Sequence, residues 1–288
     1  MGMDARITLY TETQERAEKG ARAAYDRIAA LDTMMSDYRK DSELNRLSDG
    51  AGGHPKRVSS ELFRVLQRAQ EVSKNSDGAF DVTIGPLITL WRSARRSGKL
   101  PGLDELTKAR ASVGWEKMIL DPKWQTVHLT VPGMRLDLGG IAKGYACDEA
   151  QRVLKRNGIN RAIVEFGGDI TVSGPPPGKK GWTIRVPNAG DDQGPKDMEF
   201  ANCAVGTSGD TAQFTVIGGV QYSHVVDPRT GWALTNRVQA TIIGREGLTT
   251  DPVSTAATVI AESKRANFLR NYRGLRTYFR TLRGTGGD

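Results

Sequence analysis

Cysteine and histidine are scarce in this chain of 288 residues, with only Cys147 and Cys203 of the first and His54, His128 and His224 of the second. The two cysteines lack a C-x-x-C spacing and give no disulfide framework; Cys147, set among small residues, reads as a buried thiol. The three histidines are too scattered for a zinc site. No apolar run reaches the roughly eighteen residues that a membrane-spanning helix needs. Met1 is not followed by a basic and then apolar leader, so the chain is either cytoplasmic or has lost an export segment. Two phosphate-binding signatures are also missing. Gly139, Gly140 and Gly144 do not make G-x-G-x-x-G, and no Gly-Lys-Ser/Thr follows as a P-loop requires. No G-x-S-x-G elbow surrounds Ser208, so Ser208, His224 and an aspartate match a hydrolase triad in residue type alone.

What is present suits a globular protein rich in turns: 38% hydrophobic residues and 33 glycines. The length predicts one large domain or two closely joined subdomains. Residues 136–150 organise the reading. An apolar–acidic alternation suits the end of a strand, Gly139-Gly140 makes a turn, and a helix follows whose stripe is Ala146, Ala150, Val153 and Leu154. That helix ends at Asn157, with Gly158 relieving a left-handed residue. A glycine turn feeding a helix start lets backbone N–H groups face an anion, although the same turn also packs a helix against a strand.

Upstream, residues 4–10 alternate as a strand. Residues 12–35 then read as an amphipathic helix, with Ala17, Ala21, Ala24, Ile28, Leu31 and Met35 on one face. Ser59 or Ser60 caps a second helix that ends near Asn75. In residues 77–91 an acid, Asp81, lies among apolar residues, either as a structural acceptor or as a ligand contact. Residues 92–103 are polar and basic and read as an exposed connection. Residues 118–120 and 126–131 are strands about the Asp121-Pro122 turn.

Downstream, residues 161–166 form a strand that runs into Gly167-Gly168-Asp169, a second glycine turn carrying an acid. Residues 182–186 are another strand, and residues 190–196 a flexible insertion. Residues 204–210 are small and hydroxyl-rich, so Thr207 and Ser208 either bind phosphate or make an ST-turn. His224 sits on a strand end beside Asp227 and a Pro-Arg-Thr-Gly turn. Asp251 followed by Pro252 suits an N-cap with proline at the first helical position. Asp251 and Thr255, four apart, place two oxygens on one side of that helix, which serves either capping or a hard cation such as Mg²⁺.

The net charge of +8 is uneven: residues 263–288 carry Lys264, Arg265, Arg270, Arg273, Arg276, Arg280 and Arg283 against Asp288 alone. No nucleic-acid fold signature accompanies this basic end, so nucleic-acid binding is not expected; peripheral docking on an anionic membrane is the milder use.

In order along the chain, these segments resemble the ApbE family of flavin transferases. The matching residues are Met1-Gly2, 35–38 with 41–44, 80–83 through Trp91, 137–148, 167–169, 207–210, 224–231, and Asp251 with Thr255. The resemblance covers nearly the whole chain. It implies an α+β, T-fold-like architecture of one domain, with FAD in a cleft between two lobes. It implies Mg²⁺-dependent transfer of FMN from FAD to a Thr or Ser hydroxyl of a target flavoprotein, with release of AMP. The targets it implies carry a Ser/Thr-Gly-Ala-Ser/Thr motif and are often subunits of redox complexes. The family is usually exported, which implies the periplasm or the outer face of the inner membrane if an export segment has been trimmed, with the cytoplasm as the alternative.

Residue by residue, the resemblance implies flavin-dinucleotide contacts at Met1, Tyr38, Phe80, Asp81, Val82, Asp137, Lys143, Asp148, Thr207, Ser208, His224 and Val225. It implies metal ligands at Asp251, Thr255 and the Ala142 carbonyl, while His224 is the candidate base and Asp227 its orienter. Met3 and Pro252 depart from the family pattern. Two alternatives share the site: an FAD pyrophosphatase, with water as acceptor, and a flavin-binding protein without turnover.

Overall fold

The fold is built on a six-stranded sheet in which every neighbouring pair is antiparallel. A computed structural model describes residues 3–190, 194–209 and 214–281. The first half of the chain runs β1 (Ala5–Tyr10), α1 (Gln14–Met35), α2 (Glu43–Ser48), β2 (Lys56–Arg57), α3 (Ser60–Asn75), α4 (Gly85–Ser97), α5 (Leu103–Ala111), β3 (Met118–Asp121) and β4 (Thr126–Leu129). The second half runs α6 (Ala142–Arg156), β5 (Arg161–Phe166), β6 (Asp169–Val172), β7 (Trp182–Val186), β8 (Lys196–Phe200), β9 (Cys203–Ser208), β10 (Phe214–Ile217), β11 (Val220–Ser223), β12 (Val238–Gly244), α7 (Gly247–Val259), α8 (Glu262–Leu269) and β13 (Arg276–Thr281). The sheet order is β1-β5-β6-β9-β12-β13.

The two-residue period of a strand divides the core between the sheet's faces. On β5, Ala162, Val164 and Phe166 join the main core with α1, α3, α6 and α7. Ile163 points the other way, against Trp182, Ile184 and Val186 of the β7–β8 ribbon. A third cluster joins Leu87, Trp91 and Ala94 of α4 to Leu106 of α5, and to Val226 and Ala233. Local signals set the helix ends. Thr13 accepts from the Arg16 N–H at the start of α1, Ser59 accepts from the Leu62 N–H at the start of α3, and Gly158 follows α6 at φ 76°.

Four expectations are corrected. The basic segment from Arg92 is not a connection: α4 continues to Ser97 because Leu87, Trp91 and Ala94 recur at helical spacing and bury one face. Residues 136–138 are extended but join no ladder; the Asp137 N–H donates instead to the Val82 carbonyl at 2.8 Å. The hydroxyl-rich segment is the interior strand β9, not a turn. Asp251 is not an N-cap. Helix α7 begins at Gly247, and its first N–H groups are capped from outside by Asp148, so Asp251 and Pro252 fall inside the helix.

Candidate active site

The turn at Gly139-Gly140 and the start of α6 collect the charged groups. Lys143 lies in the first turn of α6, and its Nζ is 2.8 Å from the Gly139 carbonyl oxygen, 3.2 Å from Asp169 Oδ2 and 3.6 Å from Asp251 Oδ2. Three elements supply this cluster: α6 the lysine, the Gly167-Gly168 turn into β6 one acid, and α7 the other. Burial alone would lower the Lys143 pKa, but Asp251 and then Asp169 outweigh it and hold the ammonium charged. Burial, and after it the Asp251 carboxylate, push Asp169 up to about 8. Asp251 is also raised by burial, partly offset by Lys143. One ammonium thus faces two buried carboxylates, and Asp169 Oδ1 is buried without a hydrogen-bond partner.

The glycines at this point are geometric necessities. A Cβ on Gly144 would overlap the Gly247 carbonyl and lie 2.8 Å from Asp251 Cβ, so α6 and α7 touch here backbone to backbone. That approach lets the Gly144 N–H donate to Asp251 Oδ2 at 3.0 Å. A Cβ on Gly140 would stand 3.2 Å from both Thr255 Oγ1 and Phe80 Cε2. The bare turn therefore brings a flavin-contact candidate and a metal-ligand candidate to one spot. Ala142 is the buried first residue of α6.

The donor set fits a hard divalent cation. Its atoms are oxygens, from Asp251, Thr255 and backbone carbonyls, and the acids present exceed the charge that Lys143 balances. Among the described residues, no group of three or more His, Cys, Asp or Glu side chains is placed to hold a metal ion.

A second group adjoins the turn. Asp137 Oδ1 accepts from the Gly139 N–H at 2.8 Å, and Oδ2 accepts from Arg92 Nη2 at 3.1 Å. Arg92 also bonds Asp37, and it lies 4.3 Å from the ring centroid of the exposed Tyr38. Burial and then Asp37 raise the Asp137 pKa. Asp81 is 5% exposed, and its Oδ1 accepts from both the backbone N–H and the hydroxyl of Thr83 at 2.8 Å. Thr83 thus holds the Asp81 carboxyl in place through one oxygen, and burial raises the group to about 6. The Phe80–Val82 loop is tied to Asp137 through the Val82 carbonyl.

The remaining candidates are placed less alike. Thr207 Oγ1 lies 3.0 Å from Thr241 Oγ1, and its carbonyl oxygen is near Gly168, so the end of β9 with Ser208 borders the Lys143 cluster. His224 follows β11 in an irregular hairpin, where the Ser223 N–H donates to Leu234 O and the Leu234 N–H donates to Val225 O. Val225 packs its side chain into the main core. Both Asp227 oxygens are held by Arg229, through Nε at 2.9 Å and Nη2 at 2.8 Å. That arrangement clamps the turn that ends at Gly231.

Asp148 is held at the start of α7. Its oxygens accept from the Gly247 and Leu248 N–H groups at 2.8 and 2.9 Å, which is the work of a helix cap, and its charge is felt by Asp169. Met1 lies outside the described residues, while Met3 reaches over Gly167. Asp37 and Arg92 were not among the site residues expected from sequence, and Asp169 was noted only as a turn acid. Asp169 carried a usable signal, an acid directly after a strand and two glycines; Arg92 carried none.

Comparison with known proteins identifies the family and the fold. Residues 1–279 match the ApbE family. The FAD:protein FMN transferase of Vibrio cholerae serotype O1 is 33% identical over 242 residues, spanning 82% of this chain and 72% of the relative. That of Escherichia coli K12 is 28% identical over 270 residues, spanning 89% and 75%. Among solved structures, the flavin transferase ApbE from Vibrio cholerae superposes with a TM-score of 0.83 at 28% identity, covering 98% of this chain and 94% of that one. The ApbE protein of Thermotoga maritima gives 0.84 at 29% identity, covering 96% and 90%. With nearly its whole length and its α+β fold accounted for in this way, the chain belongs to the ApbE family.

Proposed function

We propose that this protein is an FAD:protein FMN transferase, which moves FMN from FAD to a Thr or Ser hydroxyl of a target flavoprotein and releases AMP. The observation that carries the reading is the cluster at the start of α6. There an ammonium, two buried carboxylates and a hydroxyl converge on a glycine turn beside Phe80. Breaking a pyrophosphate requires stabilised phosphate charge and a deprotonated nucleophile.

In the proposed reaction the target's hydroxyl oxygen bonds to the flavin-side phosphorus as the bond from that phosphorus to the bridging oxygen breaks. AMP leaves with the bonding pair. His224 accepts the hydroxyl proton. Lys143 and the N–H groups of the turn place positive potential at the helix start. Asp251, Thr255 and the Ala142 carbonyl would hold Mg²⁺, which supplies further positive charge to the phosphate oxygens when bound. The targets are expected to present a Ser/Thr-Gly-Ala-Ser/Thr sequence, and the basic C-terminal segment suits docking beside a membrane-bound target.

The test is release of AMP from FAD with a peptide of that sequence as acceptor. AMP is expected only with Mg²⁺, and its formation is expected to be lost on Asp251→Ala. Equal AMP release with EDTA or without acceptor would refute the transferase reading.

A further inference from the structure

Arg95 stands apart from the other cations around this cleft. It lies on α4 three residues after Arg92, so both guanidiniums leave the same side of the helix. Arg92 is paired with Asp37 and Asp137. Arg95 has no carboxylate partner among the described residues. Its Nη2 donates to the Ser223 carbonyl oxygen at 3.5 Å, and its Nε–H is buried without an acceptor. Burial first, and then the Arg92 charge, work against its ionised form. Holding a partly buried charge without a counter-charge is unfavourable, so something outside this set of side chains is expected to supply one.

Its position says what that is. Arg95 feels the charges of Arg92 and Tyr38, which stack on each other, and it meets the carbonyl of Ser223, the residue before His224. Tyr38 and His224 are both among the residues that the family resemblance assigns to the flavin dinucleotide. In FAD the negative charge resides on the pyrophosphate, and the planar fork of a guanidinium matches phosphate oxygens.

We propose that Arg95 binds an anionic phosphate oxygen of the flavin dinucleotide and serves as a substrate-positioning residue of this enzyme. The inference rests on the FAD reading and adds a contact to it.

The test compares three flavins on the wild type, R95Q and R95K, titrated by quenching of flavin fluorescence, with circular dichroism melts as a control of folding. FAD and FMN carry phosphate and riboflavin does not. R95Q is expected to weaken FAD and FMN about tenfold or more, the scale of one charge-assisted hydrogen bond, and riboflavin less than twofold. R95K, with the charge kept but the fork lost, is expected to fall between. Equal weakening of all three flavins would show a purely structural role and overturn the proposal, as would unchanged FAD affinity. If R95Q does not fold, R95K decides alone: FAD weakened with riboflavin unaltered supports the contact, and unaltered FAD overturns it. A wild type that binds no flavin would sink the transferase reading itself, whereas FAD binding that ignores position 95 sinks only this inference.

Discussion

Lys143 shares its surroundings with two carboxylates that burial pushes towards the protonated form, and its ammonium offsets part of that push while both stay above the ordinary value. Replacing it by an apolar residue of similar length leaves those acids facing each other. Lys143→Met is expected to cost about 3 kcal/mol, the scale of a broken buried ion pair, read from urea denaturation. A loss below about 1 kcal/mol would mean that the pair contributes little to folding. His224 belongs to the chemistry instead. His224→Ala is expected to slow transfer at saturating FAD by about a hundredfold or more while the melting temperature holds; an unchanged single-turnover rate would remove it from the mechanism. Residue types were the most legible part of this site, since Asp137, Lys143, Asp251 and Thr255 all appear in the sequence with chemistry that suits them. Their partners were not legible. Nothing near Arg92 in sequence shows that it would bridge Asp37 and Asp137, which lie 55 and 45 positions away.

The helix pair α6–α7 carries the element-scale argument. Its close approach depends on Gly144 lying against Gly247. Gly144→Ala should force the helices apart, at a cost of about 1–3 kcal/mol, and break the bond to Asp251. Denaturation and FAD turnover should fall together; full stability and activity in that variant would show that the crossing relaxes freely.

The same pair explains why Asp-Pro misled the sequence reading. Asp251-Pro252 has the local form of a helix start, but the donors of α7 are met one turn earlier by Asp148, 99 positions upstream. A cap supplied across the fold has no local signature. It does have a pH signature. Burial raises Asp148 to about 6, as it does Asp81, against an ordinary value of 3.8. Between those values the native state holds protons that the unfolded chain has released. Stability from these two groups is therefore highest below pH 3.8 and falls as pH rises to about 6. Asp148→Asn should flatten that slope in urea midpoints measured across the window, and an unchanged slope would contradict the burial argument.

Over the whole molecule, the strands and long helices were the readable part because their periodicity is written in apolar residues. β5 and β7 begin and end where the alternation does, and α1 follows its stripe down to Met35. The exceptions are places where burial overrode composition: α4 is basic along one side yet anchored by Trp91, and β9 is hydroxyl-rich yet interior to the sheet. This architecture brings distant parts of the chain, at Phe80, the Gly139-Gly140 and Gly167-Gly168 turns, and Asp251 with Thr255 within α7, to one point. At this point, on the function proposed above, FMN passes to another protein. The most direct measurement is the intact mass of a target carrying the acceptor sequence after incubation with this protein, FAD and Mg²⁺. A gain of one FMN unit on the target, absent when Mg²⁺ is chelated, is the predicted result. FAD consumed to FMN and AMP with the target's mass unchanged would contradict it.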